Sequence, residues 1–434
     1  MLNPFHITGD TPKQIHMQDI GNLQVELQTE RETERSFLYA CGALLTFAIL
    51  LFFGLTMLYS ASFVTKGTEY FAKQIFWAVA GVFVGGAVFI VGYRRLSDYS
   101  LHIIGFVCIL LIIAGFFMRE VNGANRWIFI SIAGREFSLQ PSELAKPALL
   151  LYITRYCADN LRTINNFNLL KPVNWNWRYF RNGPLPAMMV CGVLCLLVRA
   201  GDDLGTTLLL GATMMAILLA SGFNPYIGIG APIAAGVGLF FYLKNFDAMR
   251  WARLSSFLHP ELDTQGDAYQ LWLSLLALGS GKWTGVGFMD SRLKQKYLPE
   301  HHTDFILSIV GEELGFISLV AVIATYLILA LFGAAIAINA RTRQGMLLAY
   351  GVVMLIVMQG AINIGVVSGA FPTKGIPAPL ISYGGSNLLM SLILLGFLMS
   401  VAVDTAIPDF YPTLHKRLAK YIPHWLWHKE EVKP

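Results

Sequence analysis

Ten stretches of this chain are each apolar over a length able to cross a bilayer, and that recurrence constrains the fold more than any other feature. They lie at about 37–59, 71–92, 101–118, 142–157, 185–200, 203–221, 225–243, 304–337, 346–369 and 386–406. A span needs about 20 apolar residues, and inside lipid only helices and closed barrels satisfy every backbone group. The runs therefore predict an all-α integral membrane protein of about ten transmembrane helices. Charged residues make up 14% of the 434 residues and hydrophobic ones 55%, which leaves too little charge to coat a soluble surface. The formal net charge of +5 is too small a surplus to indicate nucleic acid.

Residues 1–36 lack an early apolar core, so no cleaved secretory signal is expected and the first run should act as a signal anchor. The five cysteines, Cys41, Cys108, Cys157, Cys191 and Cys195, lie in or beside apolar runs without a CxxC pair, and predict neither a disulfide framework nor a zinc site. The fourth run is the weakest, because it carries Glu143 and Lys146 and is broken by Pro147; tilt or burial against other helices would accommodate it.

Arg94 and Arg95, the basic group Arg155–Arg181, Arg341 and Arg343, and Lys416, Arg417 and Lys420 all fall on one side of such a topology. By the positive-inside rule that side is cytoplasmic, with both termini in it: a tail at 1–36, a transmembrane domain at 37–408 and a tail at 409–434. Arg119, Arg126, Arg135 and Lys374 fall on the opposite side and break the rule, which marks them as functional candidates. The longest loop, 244–303, is also on that outer side, between the seventh and eighth helices. Its pattern of Trp251, Phe257, Leu258, Tyr269, Leu271, Trp272, Leu273, Leu275 and Leu276 predicts amphipathic helices lying in the interface.

Four polar clusters stand out, all directed to the outer side. Tyr297-Leu298-Pro299-Glu300-His301-His302-Thr303-Asp304-Phe305 opens the eighth helix, which continues through Gly311-Glu312-Glu313-Leu314-Gly315. At about 100° per residue, Asp304, Ser308, Gly311 and Gly315 share one face, where small residues admit a helix or a lipid tail. Asp304 also reads as a helix cap or early-turn acid. Glu312 and Glu313 lie about two turns deeper, where carboxylates face a cavity or a cation; Glu313, opposite Asp304, reads as an ionic lock. In the second cluster Asn125-Arg126-Trp127-Ile128 precedes Gln140-Pro141-Ser142-Glu143-Leu144-Ala145-Lys146. Glu143 and Lys146 can pair at i, i+3, Trp127 reads as an aromatic-belt anchor, and Arg126 suits bidentate phosphate binding. The third is Phe371-Pro372-Thr373-Lys374-Gly375-Ile376-Pro377-Ala378-Pro379-Leu380-Ile381-Ser382-Tyr383-Gly384-Gly385-Ser386, whose two glycines before a helix either present N–H groups to an anion or make a plain turn capped by Ser386. In the fourth, Gly201-Asp202-Asp203-Leu204-Gly205-Thr206-Thr207, the acids read as caps rather than as cation ligands.

With these motifs in this order, residues 37–408 resemble the SEDS family of FtsW, RodA and SpoVE, and Pro372-Thr373-Lys374-Gly375 looks like its division-type branch rather than its elongation-type one. Gly201-Asp202 stands where the family has Gln-Pro, and Asn387 where a second serine is common. The resemblance implies a peptidoglycan glycosyltransferase of the inner membrane, acting at the septum. It would polymerise lipid II on the outer face, release undecaprenyl diphosphate, and work with a class B penicillin-binding protein and other divisome membrane proteins. It implies Asp304 as the essential catalytic residue. The expected substrate and diphosphate contacts are Arg126, Trp127, Glu143, Lys146, Lys374, Ser382, Gly384, Gly385 and Ser386, with Glu300, His302, Thr303 and Glu312 in support. The sequence fixes no cofactor, and a divalent cation, Mg or Mn, is left open as an aid to the leaving diphosphate. Two other classes remain open from sequence: a flippase moving lipid II without chemistry, and a non-catalytic division scaffold.

Overall fold

The computed structural model describes residues 17–120, 125–132, 135–167, 181–246, 251, 257–264, 266, 268–294, 302–373 and 375–418. Its helices, in chain order, are α1 (Met17–Lys66), α2 (Glu69–Val91), α3 (Tyr93–Asp98), α4 (Ser100–Phe117), α5 (Pro141–Asp159), α6 (Leu161–Asn165), α7 (Pro184–Ala200), α8 (Leu204–Ala220), α9 (Pro225–Phe246), α10 (Tyr269–Gly281), α11 (Ile306–Asn339), α12 (Arg343–Val367), α13 (Gly385–Ala406) and α14 (Phe410–Leu418). Ten of these coincide with the ten apolar runs. Seven are long and apolar enough to span by themselves: the 33–63 part of α1, then α2, α4, α9, α11, α12 and α13, while α7 and α8 are shorter.

The tenth is α5, and its burial explains its weak hydropathy. It packs on α4, α7, α8, α12 and α13. Glu143, Lys146 and Pro147 are buried along with almost every apolar residue of the helix. A helix enclosed by protein need not be uniformly apolar to stay in a membrane. Around this centre α2 packs extensively on α13, and α11 on α1 and α12. By contrast α9 touches little besides α8 and leaves Ile229, Ile233, Val237, Phe240 and Phe241 exposed, a surface suited to lipid.

The Thr33 hydroxyl donates to the Ala406 carbonyl at 3.1 Å, so the first span starts beside the end of the last, on one membrane face. The connections on the other face differ from expectation in two places. A hairpin, β1 (Ile128–Ile132) paired antiparallel to β2 (Arg135–Leu139), joins α4 to α5 where no strand was predicted. Within the long loop, α10 turns one apolar face to protein. It packs on α11, burying Leu271, Leu273, Ser274, Ala277 and Gly281.

The reason for that packing lies in α11. At Gly315 the backbone leaves the helix (φ 76, ψ −176), which frees carbonyls above the break and N–H groups below it. The segment after α10 takes both sets. Val286 and Gly287 donate to the Glu312 and Glu313 carbonyls at 2.9 and 3.1 Å, and Phe316 donates to the Lys282 carbonyl at 2.9 Å. The Gly311 and Gly315 face thus receives the chain's own loop rather than a lipid tail. Any side chain at 315 would meet the Trp283 carbonyl and the Gly285 N–H at 2.4 Å.

Candidate active site

Asp304 precedes the first turn of α11, whose N-cap is Phe305, so Asp304 is not the helix cap. It lines a cavity of ≈ 290 Å³ on the membrane face that carries the hairpin and the long loop. Arg126 and Trp127 enter this cavity from the strand end, Gln140 and Glu143 from the start of α5, and Thr206 from the start of α8. Thr303 and Asp304 enter from the approach to α11; Gly375, Pro377, Tyr383 and Gly384 from the loop before α13; and Ser386 and Asn387 from its first turn. Segments distant in sequence therefore converge on one polar space, as expected of a substrate site.

Their supports are polar and mostly buried. Asp203 caps α8 by accepting from the Thr206 N–H at 3.0 Å, and its other oxygen accepts from Ser142 at 2.7 Å and Gln140 at 2.8 Å. The cap reading therefore holds for Asp203, whereas Asp202 is exposed and pairs with Arg199 at 2.9 Å. The loop before α13 hangs from side chains of three helices. Asn363 donates to the Asp304 and Ile376 carbonyls at 2.8 and 2.7 Å, Gln359 to the Pro377 carbonyl at 2.9 Å, and Tyr326 to the Pro379 carbonyl at 2.6 Å. Gln74 donates to the Ser382 carbonyl and accepts from the Gly384 N–H, each at 3.2 Å. Tyr70 stacks between His302 and Tyr383, each at 4.7 Å, and the Tyr383 N–H donates to the His302 carbonyl at 2.9 Å. Burial, with Tyr70 and Glu69 nearby, pushes the Tyr383 phenol up to about 12, so it faces the cavity neutral.

Of the residues expected from sequence, Arg126, Trp127, Glu143, Thr303, Asp304, Gly384 and Ser386 line the cavity. Five others do not. Lys146 was expected at a diphosphate, but its ammonium donates to both Glu143 oxygens at 2.7 Å and to Gln359 at 3.0 Å; three acceptors use its three protons. The Ser382 hydroxyl accepts from the Ala378 N–H at 2.8 Å, inside its own turn. Gly385 is a packing residue: a Cβ there would lie 2.1 Å from the Trp77 ring nitrogen. His302 holds the aromatic stack, and Glu312 accepts from Ser291 and from the Arg292 N–H at 3.0 Å, tying the long loop to α11. Ser386 is not the α13 cap either: that position is Gly384, and the Ser386 hydroxyl instead accepts from the Gln140 N–H at 2.9 Å. Lys374 and Glu300 lie outside the described residues.

The expected Glu313 lock is present: Lys294 meets its carboxylate at 2.7 Å and Ser60 donates to it at 2.6 Å, with both charged partners essentially sealed from solvent. Sequence reasoning did not assign Gln140, Thr206, Gly375, Pro377, Tyr383 and Asn387 to the site, although each lies within or directly beside a motif singled out above.

Both Glu143 oxygens are held by Lys146, and one also accepts from Asn387 at 3.1 Å. The Arg126 Nε is buried without a hydrogen-bond partner, a donor placed where an anion would satisfy it. Among the described residues no three of His, Cys, Asp and Glu gather as a metal-ligand set.

Residues 40–407 match the model of the FtsW/RodA/SpoVE family, described as cell cycle proteins. The chain is 35% identical over 390 residues to the "Probable peptidoglycan glycosyltransferase FtsW" of Geobacter metallireducens, across 88% of this chain and 98% of that one. A Coxiella burnetii protein of the same name is 32% identical across 87% of this chain and 99% of its own. Among solved structures, a chain of a peptidoglycan synthase complex that coordinates polymerization and crosslinking superposes with a TM-score of 0.68 at 23% identity, covering 84% of this chain and 97% of that one. The rod shape determining protein RodA of Thermus thermophilus gives 0.58 at 24% identity, covering 84% and 96%. At these identities the structural matches speak to the fold.

Proposed function

Because the chain belongs to the FtsW/RodA/SpoVE family, we propose that it is a peptidoglycan glycosyltransferase of the division-type, FtsW branch, polymerising lipid II in the cavity around Asp304. One observation carries this reading: the same cavity holds Asp304 and an arginine nitrogen without a partner, while its second carboxylate is neutralised by Lys146.

Lipid II carries an α-linked diphosphate, and the product bond is β-1,4, so a single displacement inverts the anomeric carbon. Asp304 accepts the proton of the acceptor hydroxyl as its oxygen attacks that carbon. The carbon–oxygen bond to the diphosphate breaks, and undecaprenyl diphosphate leaves with the bonding pair. The leaving group needs charge neutralisation rather than a proton, and Arg126 supplies it. A retaining route would need two available carboxylates close together, and the Glu143–Lys146 pairing supports inversion instead. A magnesium or manganese ion, which binds through one or two carboxylates plus substrate phosphates, would be held at Asp304 and would add neutralising charge at the diphosphate. The cavity's membrane face is outer by the distribution of Arg94, Arg95, Arg341, Arg343, Lys416 and Arg417 on the other side. On the same reading the chain works at the septum of the inner membrane, beside a class B penicillin-binding protein that crosslinks the new strand and other divisome membrane proteins.

Proteoliposomes containing the protein, its transpeptidase partner and labelled lipid II separate the readings. Long glycan strands support polymerisation. Transport of lipid II across the bilayer without strands would favour a flippase, and neither strands nor transport would favour a scaffold.

A further inference from the structure

Asp304 stands one residue before the N-cap of α11, where the Phe305 carbonyl accepts from the Ser308 N–H at 3.0 Å. The Asp304 carbonyl is bonded by a side chain from α12 instead. Asn363, 1% exposed, donates one Nδ2 proton to that carbonyl at 2.8 Å and the other to the Ile376 carbonyl at 2.7 Å. Two carbonyl acceptors use both protons of the amide and fix which way it faces. One turn earlier on the same face of α12, Gln359 donates to the Pro377 carbonyl at 2.9 Å and accepts from Lys146 at 3.0 Å. One helix therefore holds both the approach to α11 and the 375–377 segment. That hold brings the two into close contact: a Cβ on Gly375 would lie 3.1 Å from Asp304 Oδ2. The backbone at Gly375 is thus a wall beside the carboxylate. Asn363 itself is not part of the cavity lining.

We propose that Asn363 is a positioning residue, which clasps the Asp304 backbone so that the carboxylate sits against Gly375 in reach of the acceptor hydroxyl. The inference rests on the glycosyltransferase reading. Displacing a reacting group by about 1 Å costs about 10² in rate, and the loss falls on kcat when the affected interaction belongs to the transition state. Steady-state polymerisation of labelled lipid II by the full-length protein with its transpeptidase partner tests it. Asn363→Ala should lower kcat by about 10² and leave KM close to wild type. Gly375→Ala crowds Oδ2 without removing a hydrogen bond. It should lower kcat by less, at a melting temperature near wild type, and it carries the test if Asn363→Ala does not fold. Ser274→Ala removes a comparable buried tie, to the Ser308 hydroxyl and the Val367 carbonyl, each at 2.7 Å. It should melt lower yet keep kcat. Wild-type kcat in a folded Asn363→Ala or in Gly375→Ala, a loss carried by KM, or an equal fall of kcat in Ser274→Ala would overturn the proposal. Absence of strands from wild type itself would instead remove the glycosyltransferase reading, and this inference with it.

Discussion

Asp304 and Gly385 show how far residue type alone misleads. A carboxylate near a helix start is usually a cap, yet here the cap position falls on Phe305 and Asp304 lines the cavity. A glycine pair before a helix suggests an anion nest, yet the Gly384 N–H is taken by Gln74 and the Gly385 site is filled by Trp77. The two glycines should therefore respond differently. A Cβ at 384 would meet only the Asn387 Cβ at 3.5 Å, an ordinary contact, so Gly384→Ala should fold with a near wild-type melting temperature. Gly385→Ala forces Trp77 or the start of α13 to move and should destabilise by about 1–3 kcal/mol, as overpacking does. Thermal melts of the two variants in detergent check this, and equal melting temperatures would contradict it.

At the scale of elements, the long loop and the outer half of α11 form one unit. The break at Gly315 exchanges helical hydrogen bonds for bonds to the 282–287 segment, and the Lys294–Glu313–Ser60 cluster fastens the following residues. Removing one member of a sealed ion pair leaves the other charge buried, at a cost of about 3–5 kcal/mol, whereas replacing both with apolar residues is far milder. Lys294→Met should accordingly lower the melting temperature sharply, and Lys294→Met/Glu313→Leu should recover much of the loss. A single variant as stable as wild type would show that the pair does not hold the loop. Much of this level was legible in sequence. Hydropathy located the spans, the depth of Glu313 marked it as an ionic lock, and helical spacing paired Glu143 with Lys146. The hairpin and the docking of α10 were not legible. Short strands leave a weak pattern, and an amphipathic helix buries the same residues against protein as against an interface. Lys146 shows a related limit: sequence shows that it carries a charge, and only packing shows that Gln359 joins Glu143 in holding it.

For the whole molecule, the arrangement is a protein-enclosed centre of α5, α12 and α13 with a polar cavity at one face. In a cysteine-free background, Asp202→Cys should react with an impermeant maleimide added outside spheroplasts, and Arg343→Cys only after permeabilisation; both positions are exposed. The reverse pattern would turn the cavity to the cytoplasm and remove its access to an outer-leaflet acceptor. The central claim is chemical and rests on Asp304. Its most direct measurement is lipid II polymerisation by the purified protein with its cognate transpeptidase, wild type beside Asp304→Asn, at matched melting temperature and complex formation. Loss of a general base lowers rates by about 10²–10⁴, so the account predicts long glycan strands from wild type and none detectable from Asp304→Asn. Strands from a folded Asp304→Asn complex at near wild-type rate would contradict it.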